Sequence, residues 1–332
     1  MVLMKSWRAE AFGKPRDVLR LREIELPQPP QKCVAVRVSA VGVGLPDLFM
    51  TQGIYPLVKA PPVSPGQEVV GEVVAAGAGA QFSVGDRVMG LTQYAQGWGG
   101  YSQYCLMADH RVCLAPACLS DEEAAGFCIP FRTAHAALVT RTALKPGETL
   151  LVLGAAGSSG SAAIQLGKSM GATVIAVASS TEKLEFCERI GAQHLINYKD
   201  KAGDFVEAVK RLTGGRGVDV IFDPVGGETC ERAAHCLARY GRIGLVGFAS
   251  GSWPRLDPLD MVLKNYSALG VFAGGLALAE EGQTFVDLCA LAEQGKIKTP
   301  IARVFAFDEV LSALKLLETS PPPGKMIIKV KG

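Results

Sequence analysis

A run of small residues, Gly154-Ala155-Ala156-Gly157-Ser158-Ser159-Gly160, follows the apolar stretch Thr149 to Leu153 and opens a helical segment, Ser161 to Met170. Residues this small let a backbone turn sharply and approach a diphosphate, and a helix N-terminus adds N–H groups and a positive dipole end. The spacing departs from Gly-x-Gly-x-x-Gly because Ala156 fills the second glycine position, and such a loop alone also serves as an ordinary strand–helix turn. Its setting, strand–loop–helix–strand within about 30 residues, points to a dinucleotide.

Which dinucleotide is decided about 20 residues further on, where an NAD site places Asp or Glu on the ribose hydroxyls. The second apolar run, Thr173 to Ala178, instead ends in Ser179-Ser180-Thr181; Lys183 follows, and Tyr198 comes after the next short strand, Leu195 to Asn197. Hydroxyls and a lysine in place of a carboxylate suit a 2′-phosphate, so NADPH is expected rather than NADH. Read from these residues alone, Lys183 as a solvated helix residue with Ser179 and Ser180 as caps remains open.

The elements that must hold this loop are legible around it. The first 125 residues are cut into short β-like runs by turns such as Ser64-Pro65-Gly66 and Ser83-Val84-Gly85-Asp86. From about residue 130, fully apolar strands alternate with helices: Val218 to Asp223, Arg242 to Phe248 and Ser267 to Phe272 repeat the pattern. That rhythm means a parallel sheet covered on both faces. The 332 residues correspond to about two domains. Helices around Glu280 to Glu293 and Asp308 to Leu317, then a strand Met326 to Val330, could belong to either.

Composition narrows the partners. Lys plus Arg is 34 and Asp plus Glu 32, a net charge of +2 that gives no footprint for nucleic acid and no polybasic membrane patch. No apolar run approaches the roughly 18 to 20 residues that span a bilayer, and the N-terminal residues read as a first strand rather than a signal peptide. Nine dispersed cysteines, none spaced Cys-x-x-Cys, read as reduced thiols in the cytoplasm. Cys105, His110, Cys113 and Cys118 fall within fourteen residues. Tyr104 to Leu114 reads there as a strand pair around Ala108-Asp109-His110-Arg111, with the cysteines packed rather than ligating zinc.

These pieces resemble the zinc-free quinone oxidoreductase (zeta-crystallin-like) branch of the medium-chain dehydrogenase/reductase superfamily. The resemblance runs over essentially the whole chain. It rests on Val43-Gly44-Leu45-Pro46-Asp47, Gly53-Ile54-Tyr55-Pro56, Pro65-Gly66-Gln67-Glu68, Val84-Gly85-Asp86-Arg87-Val88 and Gly99-Gly100-Tyr101-Ser102. Thr133-Ala134, the glycine loop, Asp223-Pro224-Val225-Gly226-Gly227 and Gly324-Lys325 extend it. The fold it implies is α/β: a GroES-like β-rich substrate domain, residues 1–127 completed by 273–332, and a doubly wound parallel-sheet Rossmann domain that binds NADPH, residues 128–272. It implies an active site in the cleft between them and a homodimer through edge strands, with Ser267 to Phe272 the candidate segment. Zinc-dependent relatives use Cys, His and Cys; here those positions hold Gly44, Gln67 and about Ile129, with Cys128 adjacent, so no metal is expected.

Without a Lewis acid for an alkoxide, the implied chemistry is hydride transfer from NADPH to a quinone or an α,β-unsaturated carbonyl. By the same resemblance Thr133 lies near the nicotinamide carboxamide, and Gly157, Ser158, Ser159 and Gly160 face the diphosphate. Ser179, Lys183 and Tyr198 take the 2′-phosphate, while Val246, Gly247, Phe248 and Phe272 line the nicotinamide wall. Lys325 is a weaker candidate for closing over the cofactor, since such a lysine is usually solvated. Gly44, Leu45, Tyr55, Tyr94 and Trp98 would line an apolar substrate pocket. The family's Asn and Tyr at positions 44 and 49 are Gly44 and Phe49 here, which leaves Tyr55 as the candidate for polarising or protonating the substrate oxygen. Asp47 and Glu68 are expected to pair with backbone or Arg, and His135 to be a core residue. Two other functions compete: an enoyl-thioester reductase, which needs a basic rim to which only Lys59 and Arg132 contribute, and an NADPH-binding sensor with weak catalysis.

Overall fold

The computed structural model describes residues 2–199 and 204–330. Strands β1 (Val2–Ala9), β2 (Leu19–Leu26), β3 (Cys33–Val43), β4 (Glu68–Ala76), β5 (Arg87–Thr92) and β6 (Tyr104–Leu114) come first, with helices α1 (Pro15–Val18), α2 (Leu45–Gln52) and α3 (Asp121–Ala125). Helix α4 (Cys128–His135) runs on into a π-helical turn, Ala136–Arg141. Strands β7 (Thr149–Val152), β8 (Thr173–Ala178), β9 (His194–Asn197), β10 (Val218–Asp223), β11 (Leu237–Leu245) and β12 (Ser267–Gly270) follow. They alternate with α5 (Ser158–Ser169), α6 (Thr181–Arg189), α7 (Phe205–Leu212), α8 (Gly227–Ala234) and α9 (Pro258–Lys264). Helix α10 (Leu278–Glu293), β13 (Ile301–Ala306), α11 (Val310–Thr319) and β14 (Lys325–Lys329) come last. The chain divides into two compact units, Met1–Ile129 with Leu278–Gly332, and Pro130–Ala277.

The first unit is a closed sheet. Strand β3 pairs with β4 along one edge and with β14 and β6 along the other, while β4, β5 and β6 join in sequence, so the ladder returns to β3. Closure turns alternate residues of β3 inward and helix α3 packs on the strand as well, so β3 is buried along almost its whole length. Val34, Val36, Val69 and Val88 are all fully buried in the core it encloses. The segment expected as a strand pair is instead the single strand β6. Its first half pairs with β3 and its last residues with β5, so the polar stretch marks where the strand changes partner. Asp109 fits the strand because its carboxylate accepts the Gln81 N–H at 2.9 Å. Cys105 thus stands opposite Val36 on β3 and Cys113 opposite Met89 on β5, on either side of a register shift in the strand.

The second unit is a six-stranded parallel sheet in the order β12-β11-β10-β7-β8-β9. The order reverses between β7 and β10, which makes this the doubly wound α/β architecture and puts its ligand crevice at the carboxyl ends beside that switch point. Leu151, Ile175, Ile221 and Ile243 are almost completely buried, each contributing about 1.5–3 kcal/mol of transfer free energy. Strand β11 starts earlier than its sequence suggests and stops at Leu245, and β12 stops at Gly270. Val246, Gly247, Phe248 and Phe272 thus lie just beyond strand ends. No helix among the described residues is long and apolar enough to cross a membrane.

Candidate active site

At the carboxyl end of β7 the chain turns through Gly154, whose φ of 56° suits glycine, into α5. Gly157 is the N-cap and offers no side chain to the first turn, whose N–H groups have no acceptor within the helix. Gly160 decides how closely helix and strand approach: a Cβ there would meet the Gly154 carbonyl oxygen at 2.4 Å and Ala155 Cα at 2.8 Å. The turn is thus a backbone cradle that any larger residue at position 160 would force open, and it suits a diphosphate.

Ser179, Lys183 and Tyr198 gather at the ends of β8 and β9. Tyr198 donates its N–H to the Ala178 carbonyl at 3.1 Å, which holds its exposed side chain at the end of β8. Ser180 accepts the Lys183 N–H at 3.4 Å and caps α6, leaving the half-buried Ser179 outside that cap. On the other side of the switch point, Val246 and Gly247 both donate N–H groups to the Asp223 carbonyl, at 2.8 and 3.2 Å. Phe248 packs its ring on Trp253 at 5.0 Å, and Phe272 stands exposed past β12. Thr133 is half-buried on α4.

Asp223 is a residue that sequence reasoning did not assign to the site. Its buried carboxylate accepts the N–H groups of Val225 and Gly226, each at 2.9 Å, and burial pushes its pKa up. The loop so fixed abuts the glycine turn, since a Cβ on Gly154 would lie 3.0 Å from Val225 Cγ2. The signal was the Asp-Pro-x-Gly-Gly sequence itself, with Gly226 and Gly227 both at positive φ.

The first unit concentrates its charge in a buried cluster. Lys325, expected to be solvated and free to close over the cofactor, is instead 3% exposed, with its ammonium 2.6 Å from Glu68 Oε1. That oxygen has no hydrogen-bond partner of good geometry, so the contact is an ion pair. Glu68 thus pairs with Lys rather than Arg, and its Oε2 takes the Ile129 N–H at 2.7 Å. Gly42 makes room for the pair: a Cβ there would meet Lys325 Cε at 2.8 Å and Glu68 Oε1 at 2.9 Å. Beside it, Asp47 accepts N–H groups from Gly66 at 2.8 Å and Gly44 at 2.9 Å, and the Tyr101 hydroxyl at 3.2 Å. Burial still raises the Asp47 pKa to about 6, those bonds and Lys325 only partly opposing it.

Of the pocket residues, the structure brings Tyr55 and Tyr94 together, rings edge-on with centroids 6.1 Å apart. Burial, then the charge and hydrogen bond of Tyr55, push the Tyr94 phenol well up. Tyr94 therefore stays protonated beside Tyr55. Gly44 caps α2 and Leu45 begins it, both half-buried. Trp98 lies under the Arg8 guanidinium, 5.8 Å from the ring centre. Arg132 is 2% exposed and forms no basic rim; His135 is buried.

The three zinc-ligand positions do not fit that ion. Gly44 has no donor, and Gln67 presents a neutral amide whose buried Nε2 has no partner. A Cβ at position 44 would lie 3.8 Å from the Lys325 ammonium, so a cation already stands where a second would be repelled.

Comparison with known proteins agrees with this organisation. A profile described as "Alcohol dehydrogenase GroES-like domain" matches residues 30–117, and one described as "Zinc-binding dehydrogenase" matches residues 160–291. The human quinone oxidoreductase is 31% identical over 329 residues, covering 98% of each chain. A quinone oxidoreductase-like protein 2 of Bos taurus is 32% identical over 333 residues, 98% of this chain and 93% of that protein. Among solved structures, a quinone oxidoreductase of Pseudomonas syringae pv. tomato superposes with a TM-score of 0.89 at 27% identity, over 98% of this chain and 100% of that one. A mycobacterial protein solved in complex with NADPH gives 0.90 at 27% identity, with the same coverage. With a GroES-like unit, a Rossmann unit and these relatives, the chain belongs to the quinone oxidoreductase family of the medium-chain dehydrogenase/reductase superfamily of oxidoreductases.

Proposed function

We propose that the chain uses NADPH to reduce quinones or α,β-unsaturated carbonyls without a metal. The observation that carries this reading is the carboxyl end of β8, where Ser179, Lys183 and Tyr198 gather and no carboxylate closes the strand. The NADPH-bound relative supports it. When bound, the cofactor supplies a hydride to an electron-poor carbon. The chain's residues hold and orient. The first turn of α5, with Gly157, Ser158, Ser159 and Gly160, takes the diphosphate; Ser179, Lys183 and Tyr198 take the 2′-phosphate. Thr133, Val246, Gly247, Phe248 and Phe272 confine the nicotinamide. Tyr55, fixed by Tyr94, donates its O–H to the substrate oxygen as negative charge develops there. The burial of Arg132 removes half of the basic rim an enoyl-thioester reductase would need.

An NADPH-oxidation assay across ortho-quinones, para-quinones, alkyl enones and short enoyl thioesters tests the reading. At least one quinone or enone is expected to turn over well above background. A flat panel beside tight NADPH binding would instead make the protein a cofactor-holding sensor. A homodimer in the cytoplasm belongs to the same proposal. Among the described residues β12 pairs only with β11, and α9 exposes Leu259, Val262 and Leu263, a combination that a second copy would cover. Light scattering should give twice the chain mass, and Val262→Asp should return it to one.

A further inference from the structure

Three thiols of the β-rich unit, none of them given a part in the proposed reaction, lie together. Cys113 lies on β6 and Cys289 on α10, their sulfurs 4.0 Å apart, and both side chains are half-buried. Cys128, at the start of α4, is hydrogen bonded to Cys113 as well. The other thiols are set differently. Cys33, Cys105, Cys187, Cys230 and Cys236 are buried, and Cys118 is exposed.

The three sulfurs are not equivalent. Hydrogen bonds with Cys128 and then Cys289, together with burial, hold the Cys113 thiol well above the usual range. The contact with Cys113 draws the Cys289 thiol down. At 4.0 Å either sulfur can give its proton to the other, and Cys289 is the more readily deprotonated of the two, the thiolate being the attacking species in thiol oxidation.

We propose that Cys289 and Cys113 form a modification site, oxidised reversibly by a hydroperoxide to a disulfide that joins α10 to β6. In the first step the Cys289 thiolate attacks the outer peroxide oxygen. An S–O bond forms, the O–O bond breaks, and the departing alkoxide or hydroxide takes up a proton. In the second step the Cys113 sulfur attacks the Cys289 sulfenic sulfur. An S–S bond forms, the S–O bond breaks, and hydroxide leaves as water with the Cys113 proton. Two thiols lose two electrons and the peroxide gains them. Rotation of the two side chains must bring the sulfurs from 4.0 Å to about 2.0 Å. Helix α10 already packs on β6.

The test uses the full chain, reduced, freed of reductant and treated with about one equivalent of hydrogen peroxide. Titratable thiols in denaturant should fall by two from nine, a tryptic map should join the Cys113 and Cys289 peptides, and dithiothreitol should restore both. Cys113→Ser should leave Cys289 as a sulfenic acid that dimedone traps, and Cys289→Ser should abolish the two-thiol loss. Cys128→Ser should leave the cross-link intact. A cross-link between other cysteines, or an unmodified Cys289 after that dose, overturns the proposal, and the wild-type map alone decides it if the variants do not fold.

Discussion

The two units of the chain build their candidate functional regions from different materials. The nucleotide end of the doubly wound unit is made of backbone: a turn at Gly154, a helix start at Gly157 and a contact at Gly160 that leaves no space for a side chain. The charged cluster of the β-rich unit is made of side chains, with Lys325 and Glu68 paired out of water and Asp47 held by two backbone N–H groups and a phenol. A backbone site fails when something is added to it. A side-chain site fails when one member is removed, because a buried partner is then left uncompensated.

Four experiments sharpen that contrast, in order of expected effect. Lys325→Met should cost about 3–5 kcal/mol in urea denaturation because it strands the Glu68 carboxylate. Adding Glu68→Gln to it should recover a large part of that loss; equal losses in single and double variants would contradict a paired cluster. Next comes pH. The Asp47 pKa is raised in the fold to about 6 from 3.8, so between those values the folded state binds more protons than the unfolded one. Asp47 therefore adds stability that is complete below the lower value and lost as pH rises through the upper. The swing is about 3 kcal/mol, visible as a difference in stability-versus-pH slope between wild type and Asp47→Asn.

On the backbone side, Gly160→Ala should cost about 1–3 kcal/mol through overpacking and weaken NADPH binding with it. Gly157→Ala, whose Cβ would sit 3.3 Å from the Gly154 oxygen, should cost well under half as much. The smallest effect belongs to the phosphate contact proposed for the half-buried Lys183. Lys183→Ala should raise KM for NADPH about tenfold, equivalent to about 1.4 kcal/mol, and leave NADH kinetics unchanged. Equal changes for both cofactors would return Lys183 to a solvated helix residue.

The same contrast explains what could be read in advance. The glycine turn, the alternation of apolar strands with helices and the hydroxyl-rich end of β8 are local patterns, and a local pattern survives in a linear string. Glu68 and Lys325 stand apart in the chain until β14 pairs with β3; nothing near Lys325 in sequence marks it for burial, which is why it read as solvated. Strand β6 misled for a related reason. Asp109-His110-Arg111 has the composition of a turn, and only pairing with β3 before it and β5 after it keeps the strand running. The Asp223 loop lay between these cases, its sequence visible but its part beside the glycine turn visible only in three dimensions.

The discontinuous make-up of the β-rich unit has a consequence for synthesis. Strand β14 leaves the ribosome only after every residue of the doubly wound unit has been made. That intervening unit can collapse on its own while the open β3 edge, with Glu68 still lacking its counter-charge, waits for translation to finish. Arrest of the nascent polypeptide before β14 would leave a complete doubly wound unit tethered to an unfinished β-rich one.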